Sequence, residues 1–229
     1  TNPQSSILNL PELSKAAHDA GVPLIVDNTL ATPYLLRPIE HGADVVLHSA
    51  TKFLGGHGTS IAGVIVDSGN FDYSTDPEKF PGFNEPDASY NGLVYARDLG
   101  PDSDFGANVS YGIKIRVQLL RDLGPSASPF NAFLIAQGLE TLSLRVERHV
   151  ENAQKVATFL ENHDQVTHVN YAGLESSPYN ALVKQLLPKG AGAVLSFDIA
   201  GGYDAAVKFV DALELHSHVA NIGDALSLI

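Results

Sequence analysis

Val45-Val46-Leu47-His48-Ser49-Ala50-Thr51-Lys52-Phe53-Leu54-Gly55-Gly56-His57-Gly58 is the stretch that decides the fold. Its first half is an apolar run of strand length, and its second half is a turn of small residues. Two hydroxyls bracket one lysine at the junction, and glycines follow. The chain carries only 14 Lys+Arg against 26 Asp+Glu, so a lysine at the tip of an apolar strand needs a reason. An amine taken out of water loses its proton more readily and can form a Schiff base. Taken alone, Lys52 reads first as a surface lysine in a loop, because loops are polar by default. Its surroundings decide between the two.

Upstream, Asn9-Leu10-Pro11-Glu12-Leu13 opens a helix, with Asn9 or Leu10 at the cap and Pro11 in the first turn. It stops near Ala20, before Gly21. Pro23-Leu24-Ile25-Val26-Asp27 predicts a short strand buried on both faces and closed by one acid. A brief helix near residues 37–41 leads to the strand that carries Lys52, and Ile61-Ala62-Gly63-Val64-Ile65-Val66 predicts another buried strand. Strands alternating with short helices point to an α/β fold with a doubly wound, mostly parallel sheet. Ligands of such sheets bind beyond the carboxyl ends of the strands. Asp27, Ser49, Thr51 and Lys52 all fall there.

Residues 68–106 form a long acidic, proline-rich excursion with interleaved aromatics, which favours an ordered segment over a loose one. Ser128-Pro129 caps the longest predicted helix, with an apolar stripe through Leu139, Leu142, Val146, Val150, Ala153, Val156 and Leu160 that runs to about Glu161. Arg145, Glu147, Arg148, Glu151 and Lys155 are expected on its solvated faces. From Gln165 the pattern turns α+β, and a strand is expected from His216 to Asn221. Two incomplete domains follow, a large one over residues 1–145 and a smaller α+β one over 146–229.

The bulk properties narrow the function. A net charge of −12 opposes phosphate backbones and argues against nucleic acid as a partner. No apolar run reaches membrane-spanning length, and a chain without cysteine fits a cytoplasmic protein. The chain starts at Thr1 and stops inside an apolar run, so it reads as an internal piece of something longer. A nicotinamide site needs Gly-x-Gly-x-x-Gly after the first strand, and a P-loop needs its lysine after the glycines; neither is present. His216-x-His218 lacks a third ligand at metal spacing, so no metal site is expected. Pyridoxal phosphate remains: it needs a lysine for the Schiff base, an acid on the pyridine nitrogen and donors for the phosphate. Lys52, Asp27, Ser49 and Thr51 can supply these in turn.

Val26-Asp27-Asn28-Thr29-Leu30-Ala31-Thr32-Pro33-Tyr34 and His48-Ser49-Ala50-Thr51-Lys52-Phe53-Leu54-Gly55-Gly56-His57 also resemble the Cys/Met-metabolism family of fold-type I pyridoxal-phosphate enzymes. The likeness extends over essentially the whole chain. It is strongest to the branch that replaces the acetate of O-acetylhomoserine with sulfide, through Gly56-His57-Gly58-Thr59, Phe83-Asn84-Glu85-Pro86, Gly138-Leu139-Glu140-Thr141-Leu142-Ser143-Leu144-Arg145 and Asn221-Ile222-Gly223-Asp224. The resemblance implies that Lys52 carries the cofactor, Asp27 pairs with the pyridine nitrogen, and Ser49 and Thr51 bind the phosphate. It implies that Asn2 bonds the ring oxygen and that Asn221 meets the substrate carboxylate, although Asn221 reads equally as a turn residue. It further implies a γ-replacement on an amino-acid substrate with sulfide or a thiol as acceptor, by a homo-oligomer of tetramer type. Cystathionine γ-synthase and γ-lyase chemistry are the alternatives within the family, and an inactive α/β binding or assembly module is the alternative outside it. The family's phosphate-binding glycine loop, its ring-stacking tyrosine, and the tyrosine and arginine lent by a neighbouring subunit fall before Thr1. Its carboxylate-clamping arginine falls after Ile229.

Overall fold

The computed structural model describes residues 4–229. Helix α1, Leu10–Asp19, starts after Asn9 with Pro11 in its first turn and ends before Gly21, whose φ of +66° suits a residue without Cβ. Strand β1, Ile25–Asp27, pairs in parallel with β2, Val45–Ser49, through the short helical turns Thr32–Leu35 and Pro38–His41. Strand β3, Gly63–Asp67, pairs with the other edge of β2 but runs antiparallel. The sheet is therefore mixed, in order β1-β2-β3, within the expected α/β class. The direction has a physical cause. The link from β2 to β3 holds a tight turn and a glycine loop, and a parallel return needs a crossover long enough to span the sheet.

Burial of the sheet departs from expectation. Val26, Val45 and Val46 are buried, whereas Ile25 is 48% exposed and Ile65 50%. The face that packs on α1, through Leu10, Val26, Ala43 and Val46, is a core; β3 is largely open.

The main core lies directly behind Lys52. Ala50, Phe53 and Leu54 of the turn pack with Ile135, Leu142, Val146 and Leu186. Each fully buried aliphatic or aromatic side chain of this kind contributes roughly 1.5–3 kcal/mol, so the turn is anchored on one side by apolar burial. Ile135 belongs to α2, Pro129–Glu140, whose N-cap Ser128 accepts from the Asn131 amide. Leu142 and Val146 belong to α3, Leu142–Glu161. The single long helix expected here is thus two, divided at Thr141, whose φ/ψ of −108°/8° leaves the helical range. Just before the break Gly138 approaches the lysine turn so closely that a Cβ there would stand 2.2 Å from the Gly55 carbonyl oxygen. The end of α2 thus lies directly against the lysine turn. Leu139 and Val156, assigned to the apolar stripe, are exposed, while Ala157 is fully buried.

Residues 68–106 are ordered around an aromatic cluster. Tyr73 stacks on Phe83 at 4.0 Å between centroids, and Phe71 and Phe80 meet it edge-on. Downstream, β4 (Val166–Asn170) and β5 (Ser196–Ile199) form a separate antiparallel pair flanked by α4 (Asn180–Leu186) and α5 (Gly202–Asp211). The strand expected at His216 to Asn221 is absent; Ser217 makes one isolated bridge to Leu228.

Candidate functional site

Lys52 lies in a wide helical turn, Ala50–Leu54, that begins directly after β2. Its φ/ψ of −86°/−127° interrupt the helical geometry. The chain therefore changes course at this residue. Phe53 and Leu54 go into the core while Lys52 is left beyond the carboxyl end of the central strand. The lysine Nζ donates to Asn221 Oδ1, so residues 169 apart in sequence meet at the amine.

The amine borders a cavity of about 470 Å³ whose lining includes Asp27, Asn28, Thr29, Ser49 and Ile222. Asp27 ends β1, and its Oδ1 accepts from the Thr29 amide at 2.9 Å. Thr29 Oγ1 in turn accepts from the Ser49 amide at 2.7 Å. Thr29 thereby ties the tips of the two parallel strands together. Sequence reasoning left it as a turn residue; a hydroxyl two places past the end of β1 was the only signal. Asn28 is buried and donates to the carbonyls of Thr32 and Leu36, which closes the floor of the β1 loop.

The expected residues are not all brought together. Asp27, Ser49 and Lys52 line one cavity, and Asn221 reaches the lysine. Thr51 faces elsewhere. Its hydroxyl accepts from the Ala62 amide at 3.1 Å and donates to the Ala62 carbonyl at 3.3 Å, pinning the start of β3. Asn2 lies outside the described residues. A second groove, of about 510 Å³ along β4, holds none of these side chains. Among the described residues no group of three His, Asp or Glu side chains is placed to hold a metal.

The donor set fits pyridoxal phosphate. A primary amine, a carboxylate and a hydroxyl stand around one cavity, and the amine is held by a neutral carbonyl oxygen, with no carboxylate ion pair among the described residues.

Two histidines flank the site without entering it. His48, on β2, is buried with Nδ1 unpartnered; His149, on α3, is edge-on to Phe53 at 6.0 Å with Nε2 unpartnered. Burial pushes the His48 imidazole below its ordinary value, against the opposing charge of Asp27. Burial does the same to His149, helped by the Arg145 charge. In the unfolded chain both titrate near ~6.5. As pH falls through that value the unfolded state binds protons that the folded state refuses, so stability drops; the loss levels off once the folded histidines protonate. Melting temperature is expected to fall between about pH 7 and pH 5, and the double variant His48→Gln/His149→Gln should flatten that slope. An unchanged slope would assign the pH dependence to other groups.

Known proteins resemble this chain throughout. The profile of the Cys/Met metabolism PLP-dependent enzymes matches residues 1–229. An O-acetyl-L-homoserine sulfhydrylase of Leptospira meyeri is 52% identical over 99% of this chain and 51% of its own length. A homocysteine synthase of Schizosaccharomyces pombe is 51% identical over 100% of this chain and 52% of its own. The chain thus spans about half the length of the curated relatives it matches. Among solved structures, a putative O-acetylhomoserine (thiol)-lyase of Campylobacter jejuni, crystallised with N'-pyridoxyl-lysine-5'-monophosphate, superposes with a TM-score of 0.91 at 38% identity, covering 100% of this chain and 54% of that one. A cystathionine gamma synthase of Xanthomonas oryzae, in complex with aminoacrylate and cysteine, superposes at 0.74 with 32% identity, covering 100% and 48%.

Proposed function

Since this chain belongs to the Cys/Met-metabolism family of pyridoxal-phosphate-dependent enzymes, we propose that the protein carrying it replaces the γ-acetate of O-acetylhomoserine with sulfide, releasing homocysteine and acetate. The observation that carries this reading is identity of about one residue in two, over the whole chain, with relatives bearing the names of that activity. Lys52 is the attachment point of the cofactor, supported by its place in the cavity lining with Asp27 and Ser49. Asp27 holds the pyridine nitrogen and Ser49 a phosphate oxygen. Thr51 joins Ser49 only if its hydroxyl leaves Ala62. Asn2 meets the ring oxygen, and Asn221 the substrate carboxylate. When bound, the cofactor supplies an electron sink beside the substrate's amino carbon.

The chain's own residues then move protons. Lys52, as a free amine, would take the proton from the substrate α-carbon, give that proton up, and as a free amine again take one from the β-carbon, which lets acetate depart from the γ-carbon. Asn221 Oδ1 keeps the amine oriented while it waits. The Thr29 amide, donating to Asp27 Oδ1, holds the carboxylate in place at the end of β1. A homotetramer in the cytoplasm completes the proposal; the exposed Val64, Ile65, Phe130 and Phe133 supply apolar surface for assembly. Two structural units meeting near Arg145 also belong to it, supported by the separate sheets β1–β3 and β4–β5.

Cysteine as acceptor is the second reading, favoured by the likeness to the cystathionine gamma synthase. Product analysis of the full-length protein decides between them. With O-acetylhomoserine, homocysteine should form with sulfide much faster than cystathionine forms with cysteine. The reverse order would establish the second reading, and no product with either would leave a binding module.

A further inference from the structure

Arg145 stands in the first turn of α3 and points back at the lysine turn. Its Nη1 donates to the Phe53 carbonyl at 2.8 Å. Its Nη2 donates to the Gly138 carbonyl at 2.7 Å and, at the longer distance of 3.4 Å, to that of Leu54. Its Nε donates to Thr141 Oγ1 at 3.2 Å. The guanidinium also lies against the backbone of Gly56, where a Cβ would stand 2.3 Å from Nη1 and 2.5 Å from Cζ. Among the described residues no carboxylate pairs with it; the salt bridges nearby belong to Arg148 and Lys155 with Glu151. A half-buried cation with no carboxylate partner, held by main-chain oxygens, gives up part of its hydration for those bonds.

The carbonyls that Arg145 takes are those a helical turn leaves unsatisfied at its end. They belong to the two residues that follow Lys52. The same guanidinium bonds the last turn of α2 through Gly138, so it locks three elements at one point: the lysine turn, α2 and α3. We propose that Arg145 is a positioning residue for Lys52, fixing the angle at which the turn leaves β2 and thereby the direction of the amine. This assignment rests on the proposed role of Lys52. Only a planar fork with several donors can serve carbonyls in three directions; a lysine in its place serves one or two.

The test uses the full-length protein and the variants Arg145→Lys and Arg145→Met, with Arg148→Met as the control on the exposed face. The first readout needs no cofactor. The Gly55 and Gly56 amides close the turn onto Ala50 and Lys52 at 2.9 and 2.8 Å. Their hydrogen exchange should accelerate about tenfold or more in Arg145→Lys, as expected for loss of bonds from a charged donor. Amides of α1 should keep the parent rate, and Arg148→Met should leave both sets unchanged. The second readout is the loaded enzyme. There kcat should fall about 10–100-fold with KM within about threefold, and the pH titration of the bound cofactor's visible absorbance should shift. Turn amides that exchange at the parent rate overturn the proposal. So does an acceleration of the same factor in α1, which marks general loosening. A parent protein with no cofactor on Lys52 overturns the reading of the site, and with it the purpose assigned to Arg145, even where the exchange result holds.

Discussion

Lys52→Ala is expected to abolish covalent retention of pyridoxal phosphate in the full-length protein. Borohydride reduction followed by peptide mapping should find the pyridoxyl label on the Lys52 peptide of the parent and nowhere in the variant. Alanine has no amine to attach the aldehyde and no base to move the α-proton, so turnover should fall by at least about 10³-fold. Lys52→Arg should fare no better, because a guanidinium stays protonated and cannot attack. The fold should survive, since the turn is anchored by Ala50, Phe53 and Leu54 and not by the lysine stem. Stoichiometric labelling of the alanine variant would refute the assignment of Lys52.

The second large effect is expected from Gly223→Ala. Gly223 has φ +78°, a conformation that costs an L-residue roughly 1–2 kcal/mol. Its added Cβ would lie 2.5 Å from the Phe53 nitrogen and 2.8 Å from the Lys52 carbonyl carbon. Both are backbone atoms of a turn clamped by the core, so no rotamer change relieves the contact. The loop must lift instead. Lifting breaks the bond from the Ala225 amide to the Gly56 carbonyl, 2.9 Å long, and withdraws Asn221 from the lysine. A loss of at least about 3 kcal/mol follows, or roughly 6–12 °C in melting temperature. Gly106→Ala is the matched control. Gly106 also has positive φ, +68°, with nothing within 4 Å of its Cβ, so it reports the backbone cost alone. Equal destabilisation of the two variants would show that the loop does not press on the turn.

How much of this was legible beforehand depends on the kind of signal. Asp27 and Lys52 could be read because each ends an apolar run at a strand tip, and strand tips are where such sheets bind ligands. Burial of the sheet could not be read so well, since an apolar run does not say whether both of its faces are covered; Ile25 and Ile65 stand half in solvent. The direction of β3 was likewise hidden. A strand pattern carries no polarity, and only the absence of a crossover helix between Ser49 and Gly63 hinted at it. Thr141 is an ordinary helix residue by propensity, so nothing local marks the break, and the close approach of Gly138 to Gly55 beside it spans 83 residues. Arg145 was misplaced on a solvated face for a related reason: it belongs to a charged run, and its carbonyl partners at Phe53 and Leu54 are remote in sequence. Thr51 shows the converse. It stood at the right position, yet its hydroxyl has a nearer employer in Ala62.

The meeting of Lys52 with Asn221 also carries a consequence for the timing of biosynthesis. The lysine leaves the ribosome 169 residues before its partner does. At 5–20 residues per second that interval is roughly ten to thirty seconds. During it neither Asn221 nor the Gly223 clamp exists, and for the first part of it Arg145 is missing as well. Until then the Lys52 amine lacks the Asn221 oxygen that it donates to in the finished chain. That contact is supplied from the far end of the sequence, so the proposed site is fully assembled only once the polypeptide has been made at least as far as residue 225.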